Sequence, residues 1–289
     1  MSVRTEAAMG TLVTIHVARS GAEAAIERAF GWFWQIEECC TRFNPRSELT
    51  QLTARVGEPV PVSAMLFESV QFALRVAEET AGAFDPTVGH QMELRGFNRE
   101  DRTGAIVHTA IAPADDVSYR DVQLNPERRT ITLLRPLLLD LGAVAKGLAV
   151  DMAARELQQF ADFSIDAGGD LYLGGSNPRG EPWCVGIRHP RRDHQLIASL
   201  RVSNQAVCTS GDYERGRHIL DPRTSAPADS VASATVVAPG AMLADALSTA
   251  AFVLGAAEGI ALLERMGVDG LIVTPELERY ETQGLCHAA

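Results

Sequence analysis

The segment 241–254, AMLADALSTAAFVL, is apolar apart from one carboxylate, Asp245, and the hydroxyls of Ser248 and Thr249. Its spacing predicts a helix, and so apolar a helix has to be buried. Asp245 and Thr249 stand at i and i+4, so their oxygens share one face, with Ser248 beside them. A carboxylate inside a buried helix is costly unless it is paired or coordinates a metal. Carboxylate and hydroxyl are hard oxygen donors. They suit Mg²⁺, which keeps waters and takes further ligands from phosphates. The plainer reading is a helix whose one polar face is solvated. The segment is too short, and interrupted by Asp245, to span a bilayer.

The rest of the chain supplies what that helix packs on. Leu12–Val17 reads as an opening strand after Gly10, and residues 21–40 place Ala25, Ile26, Ala29, Phe30, Phe33 and Ile36 at helical spacing. Ser63 is an expected N-cap for a helix that stops at Gly82. Strands are expected at 131–134 and 137–139, then a helix from Lys146 to about Phe160. Residues 164–173 read as a strand interrupted by Gly168-Gly169, followed by strands near 183–188, 197–202, 206–208 and 232–237. Helices at 241–254 and 258–266 and a late strand at 271–274 close the order. Strand-rich stretches and helices mix without regular βαβ alternation, which predicts an α+β fold or a mixed-sheet α/β arrangement. No strand leads into GxGxxG and no GxxxxGK[ST] occurs, so neither a standard dinucleotide fold nor a P-loop is expected.

Composition narrows the partners. A net charge of −11 over 289 residues argues against nucleic acid or an anionic membrane, although a local basic pocket for phosphate remains compatible with it. The five cysteines, Cys39, Cys40, Cys184, Cys208 and Cys286, form no CxxC pair and no zinc spacing, and read as reduced thiols. The opening residues show no signal peptide and no lipobox, which places the expected location in the cytoplasm.

Other segments carry functional groups at turns. In 139–147, LDLGAVAKG, Asp140 ends an apolar strand just before a helix. Such turns present free backbone N–H groups, so Asp140 could meet a ring or ribose and Lys146 a phosphate. The alternative is Asp140 as an N-cap and Lys146 as surface charge. Further on, Thr209-Ser210-Gly211 and Asp221-Pro222 read as turns that end two paired strands, with His218 between them as an acid, a base, a phosphate ligand or a structural histidine. The 83–89 (AFDPTVG) and 166–170 (DAGGD) turns would bring backbone close to a ligand.

In order, these segments resemble the ApbE family, the FAD:protein FMN transferases. The matches run from Met9-Gly10-Thr11 through FNPRSEL at 43–49, AFDPTVG, DLGAVAKG, GGDLYLGG, Pro182-Trp183, TSGDYER and HILDPRT to ADALST at 244–249 and Leu254-Gly255. The resemblance implies a T-fold-like α+β architecture with a mixed sheet. It implies one domain over residues 1–289, with room for two subdomains flanking an FAD cleft. Met9, Phe43 and the Ala83, Phe84 and Asp85 backbone would line the flavin and adenine pockets, with Asp140, Lys146 and Leu220 as further FAD contacts. The carbonyl of Ala143, with Asp245 and Thr249, would hold Mg²⁺. His218 matches the histidine implicated in transfer, and Asp221 is a second candidate for removing the nucleophile's proton. The implied reaction moves FMN from FAD to a threonine of an acceptor flavoprotein carrying an Asp/Ser-Gly-x-x-Thr type segment, and AMP leaves. A Mg²⁺-dependent FAD pyrophosphatase and a non-catalytic FAD-binding protein are the alternatives. Three positions depart from the family's pattern: Arg95 stands where a tryptophan is frequent, Asp166 where an asparagine is usual, and Ser225 where a glycine is usual. The segment from Tyr213 to His218 is also shorter than in many members.

Overall fold

The computed structural model describes residues 2–100, 103–109, 112, 114–213 and 219–288. In chain order the strands are β1 (Ser2–Ala8), β2 (Thr11–Val17), β3 (Val60–Pro61), β4 (Val122–Asn125), β5 (Thr130–Leu133), β6 (Phe163–Ala167), β7 (Asp170–Gly174), β8 (Trp183–Arg188), β9 (Leu196–Val202), β10 (Gln205–Gly211), β11 (Leu220–Asp221), β12 (Ala226–Pro227), β13 (Ser233–Ala238), β14 (Asp269–Val273) and β15 (Arg279–Glu281). The helices are α1 (Glu23–Cys40), α2 (Glu48–Thr53), α3 (Ala64–Glu79), α4 (Gly89–Leu94), α5 (Gly142–Leu157), α6 (Ala241–Leu254) and α7 (Ala256–Met266).

The α+β expectation holds. The main sheet has eight strands in the order β1-β2-β6-β7-β10-β13-β14-β15. Its pairings are antiparallel throughout rather than mixed. Side chains alternate across it with period two. Val13, Ile15, Ala206, Cys208, Val236 and Ile272 face the helices, while Val207, Val237, Leu271 and Val273 face the β8–β9 hairpin. β13 is buried at every position, as a strand covered on both faces must be. Among the described residues no helix is long and apolar enough to cross a membrane.

Local expectations fail where turn chemistry decides. Leu12–Val17 is not the opening strand, because Ser2–Ala8 precedes it and pairs with it along its length. Met9 and Gly10 make the tight turn between them, both with positive φ (51° and 73°), as a two-residue hairpin requires. The stretch 164–173 is not one interrupted strand but the β6–β7 hairpin. It turns at Gly168 and Gly169 (φ 65° and 96°), where a Cβ on Gly168 would fall 2.1 Å from Thr11 Oγ1. Asp166, the usual asparagine position, accepts the Gly169 N–H at 3.0 Å, a bond either side chain can make. Residues 137–139 form no strand and make only a bridge from Leu138 to Val88. The Ser63 N-cap is present and accepts the Leu66 N–H at 3.2 Å. Helix α5 starts at Gly142, one turn before Lys146.

Candidate functional site

The helices α5 and α6 meet at a glycine. A Cβ on Gly147 would lie 2.5 Å from the Ala241 carbonyl oxygen and 2.6 Å from Met242 Cα, so no other residue permits this approach without a backbone shift. The contact brings the start of α5 against the first turns of α6. The two helices and the end of β10 then form one wall of a cleft of about 640 Å³, within the range of small-molecule sites. The cleft is also lined by the Ala83–Asp85 turn, Met92 with Gly96-Phe97, and Ile219-Leu220 with Pro222. A second pocket of about 440 Å³ adjoins it and shares Gly10, Arg42, Phe43, Asp140, Gly142 and Lys146.

Asp245 lies at the α5–α6 junction. It is 7% exposed, and its Oδ2 has no hydrogen-bond partner. Burial raises its carboxyl above the ordinary range; the Lys146 charge and the Gly147 N–H offset only part of that. The plainer reading, a polar face turned to solvent, is therefore excluded for Asp245. Beside it the Ser210 hydroxyl bridges Ser248 Oγ at 2.8 Å and Thr249 Oγ1 at 3.2 Å. Ala143 has left helical geometry (φ −89°, ψ 16°) inside the first turn of α5, and it lines the same cleft as Asp245 and Thr249. Among the described residues no three His, Cys, Asp or Glu side chains gather as a metal cage. One carboxylate with neighbouring hydroxyl and carbonyl oxygens fits a hard cation that completes its shell from phosphate and water.

Lys146 is not a surface charge. It forms an ion pair with Asp170, which is 2% exposed, and its side chain lines both pockets. Asp140 is not the N-cap residue of α5, which is Leu141, but its Oδ1 accepts the Gly142 N–H at 2.8 Å. Its Oδ2 accepts from Arg42 Nε at 2.7 Å. Arg42 also donates to the Phe97 carbonyl and stacks on the Phe43 ring, with 4.2 Å from the guanidinium carbon to the ring centroid. One buried guanidinium thus fixes two predicted ligand contacts, Phe43 and Asp140.

Ala83, Phe84 and Asp85 line the cleft, and the Asp85 side chain is engaged within the protein. It accepts from Thr87 N at 2.8 Å, Thr87 Oγ1 at 2.7 Å and Tyr119 N at 2.9 Å. Even so, burial leaves its carboxyl raised. Met9 lines the second pocket and Leu220 the first. Asp221 is held by Arg223, with Nε–Oδ1 and Nη2–Oδ2 both 2.9 Å, and this pair keeps its carboxyl below the ordinary range. Asp221 is not among the cleft-lining residues. His218 lies outside the described residues. Thr209–Gly211 is no turn: it ends β10, which pairs with β7 and β13 and not with β11. Ser225 sits at φ 58°, the left-handed region that explains the usual glycine there, and its carbonyl accepts from Arg95 Nη2 at 2.5 Å. Two of the departures from the family pattern therefore touch each other.

Sequence reasoning missed Arg42 and Asp151 as site-building residues, and took Ser210 and Asp170 only as members of turns rather than for their side chains. The signal for Asp151 was visible: Ala143, Gly147 and Asp151 follow at four-residue steps, as do Ala241, Asp245 and Thr249.

Fold and cleft together define an α+β protein with an antiparallel sheet and a cleft of ligand-binding size, with a buried carboxylate and a lysine among the residues that line it. The ApbE family model matches residues 9–272, and the chain belongs to the ApbE family. It is 34% identical to the FAD:protein FMN transferase of Treponema pallidum, over 94% of this chain and 84% of that protein. With the FAD:protein FMN transferase of Haemophilus influenzae it shares 31% identity, over 77% of this chain and 70% of the other. The crystal structure of the ApbE protein from Thermotoga maritima superposes with a TM-score of 0.85 at 29% identity, covering 98% of this chain and 97% of that one.

Proposed function

We propose that this protein is an FAD:protein FMN transferase that works with Mg²⁺. The observation that carries the metal part is the buried, unpartnered Oδ2 of Asp245 beside Thr249. Asp245, Thr249 and the Ala143 carbonyl would hold the ion. When bound, Mg²⁺ supplies neutralisation of charge on the FAD pyrophosphate as the bond to phosphorus breaks.

The chain's own groups do the rest. Lys146, held by Asp170, places a positive charge where the pyrophosphate meets the start of α5. Phe43 and Met9 offer apolar faces to the ring systems, and the Ala83–Asp85 backbone offers polar atoms of fixed position. Asp140, oriented by Arg42 and the Gly142 N–H, accepts hydrogen bonds from the nucleotide. A threonine hydroxyl of the acceptor flavoprotein attacks the FMN-side phosphorus. The new P–O bond forms as the bond to AMP breaks, AMP leaves, and FMN stays attached as a phosphoester. We assign the removal of the threonine proton to His218, since an imidazole titrates near neutrality and Asp221 is committed to Arg223. Residues 1–289 act as one domain whose walls flank the cleft.

The test is incubation with FAD and Mg²⁺, with and without an acceptor domain carrying an Asp/Ser-Gly-x-x-Thr segment. Expected is a fluorescent adduct on the acceptor threonine and one AMP per adduct. AMP release indifferent to acceptor, with no adduct, would make the protein a pyrophosphatase. Tight FAD binding with no AMP under any condition would make it a binding protein.

A further inference from the structure

Helix α6 begins without a cap of its own. Its N-cap residue is Gly240, with no side-chain bond to the helix, and the first N–H groups of any helix need partners. The partners come from the middle of another helix. Asp151 of α5 accepts from Ala241 N at 2.6 Å and Met242 N at 3.0 Å. This arrangement is costly: Asp151 is partly buried, and burial raises its carboxyl despite both bonds.

A simpler cap was available. Gly240 sits at φ −143° and ψ 151°, extended backbone that any residue adopts, and serine there is a standard N-cap. The nearest atom to a Cβ at Gly240 is Asp151's own Oδ2, at 3.0 Å. Capping alone therefore does not require Asp151. What a cap from α5 adds is a fixed axial register between two helices that meet at Gly147.

That register sets the cleft. Asp245 lies one turn beyond the capped end of α6, and the Gly147 N–H reaches it from α5. A slip of one residue along the axis displaces a carboxylate by about 1.5 Å. That is most of a Mg²⁺–oxygen bond, about 2.1 Å, and Mg²⁺ tolerates little distortion. We propose that Asp151 is a positioning residue for the metal site: by capping α6 from α5 it holds Asp245 and Thr249 opposite Ala143 and Lys146. The inference rests on the metal reading above.

Mn²⁺ alone serves as the probe. It is titrated into the full chain and followed by loss of the free-ion EPR signal, with Tm measured in parallel. Asp151→Ala is expected to lower Tm and to weaken Mn²⁺ binding about tenfold or more, the usual effect of losing a group that orients a ligand. Adding Gly240→Ser gives α6 a cap of its own, in space that Asp151→Ala has vacated. This double variant is expected to regain Tm while Mn²⁺ binding stays weak. Recovery of both together would reduce Asp151 to a cap and overturn the proposal, as would unchanged Mn²⁺ binding in Asp151→Ala. Should Asp151→Ala not fold, Asp151→Asn keeps the shape and one acceptor. Its Mn²⁺ affinity should fall at a temperature where it is fully folded, and unchanged affinity there overturns the proposal. No uptake by the wild type, or uptake retained in Asp245→Asn, would overturn the metal reading and this inference with it. Wild-type uptake lost in Asp245→Asn but kept in the Asp151 variants would overturn the inference alone.

Discussion

Asp245→Asn should make the metal-free protein more stable while removing its response to metal. The side chain is 7% exposed, one oxygen lacks a partner, and burial raises its carboxyl despite Lys146 and the Gly147 N–H. A buried polar atom without a partner costs about 1–3 kcal/mol, and more when charged. Asparagine keeps the shape and removes the charge, although its amide N–H₂ then needs a partner, so a net gain of about 2 kcal/mol is expected. For a chain of this size that is a rise of about 4 °C in Tm. Saturation of the wild type at about a hundred times Kd adds about 2.7 kcal/mol by linkage, or roughly 5 °C, which the variant should not gain. The assay is scanning calorimetry at pH 8, with EDTA and then with Mg²⁺. A variant less stable than the wild type in EDTA would show that the carboxylate is fully compensated and structural. Equal Mg²⁺ increments in both proteins would place the metal elsewhere. Either result refutes the reasoning.

Arg42→Ala strips the guanidinium from Asp140, Phe97 and the Phe43 ring. It should cost about 3 kcal/mol in denaturant titrations and weaken FAD binding about tenfold by fluorescence titration. Arg42→Lys, without the planar fork, should fail to restore it, and full rescue by lysine would count against the stacking role. Gly147→Val forces Ala241 and Met242 backbone away and should cost about 3 kcal/mol of stability together with the Mg²⁺ response; a Tm within a degree of wild type would contradict the close approach. Asp85 is a pH probe. Its folded carboxyl is raised by burial, so its contribution is complete below the ordinary carboxylate range and is lost as pH rises through the raised value. The wild-type Tm minus that of Asp85→Asn should therefore fall across that window, and a difference that climbs with pH would reverse the sign argument.

What the sequence disclosed and what it hid follow from range. Helix α6 was legible to the residue, 241–254, because its apolar run is long and closed by Gly240 and Gly255. The i, i+4 placement of Asp245 and Thr249 was legible for the same reason, since helical geometry is local. The strand Ser2–Ala8 was not, because SVRTEAA is mostly exposed and gains its structure from pairing with β2 rather than from its own pattern. The β6–β7 hairpin was misread because two consecutive positive-φ glycines look the same in sequence whether they bulge a strand or reverse it. The contact with Thr11 that selects reversal is distant in the chain.

The site residues divide along the same line. Phe43, Asp140, Lys146 and Leu220 stood in recognisable segments, but the groups that orient them did not. Arg42 reaches Asp140 across 98 residues and Asp151 reaches Ala241 across 90. No periodicity or motif spacing links such pairs. Charge chemistry does leave one usable constraint. A buried helix containing a single Asp, packed on a helix whose small-residue face ends in a second Asp, has two carboxylates to satisfy, and the Lys146 charge acts on the first of them, Asp245. Asp170 takes much of that lysine's charge, and Asp151 takes two of the free N–H groups of α6. Asp245 is then the carboxylate left with an unpartnered oxygen in the wall of the cleft, the observation on which the proposed cation site rests.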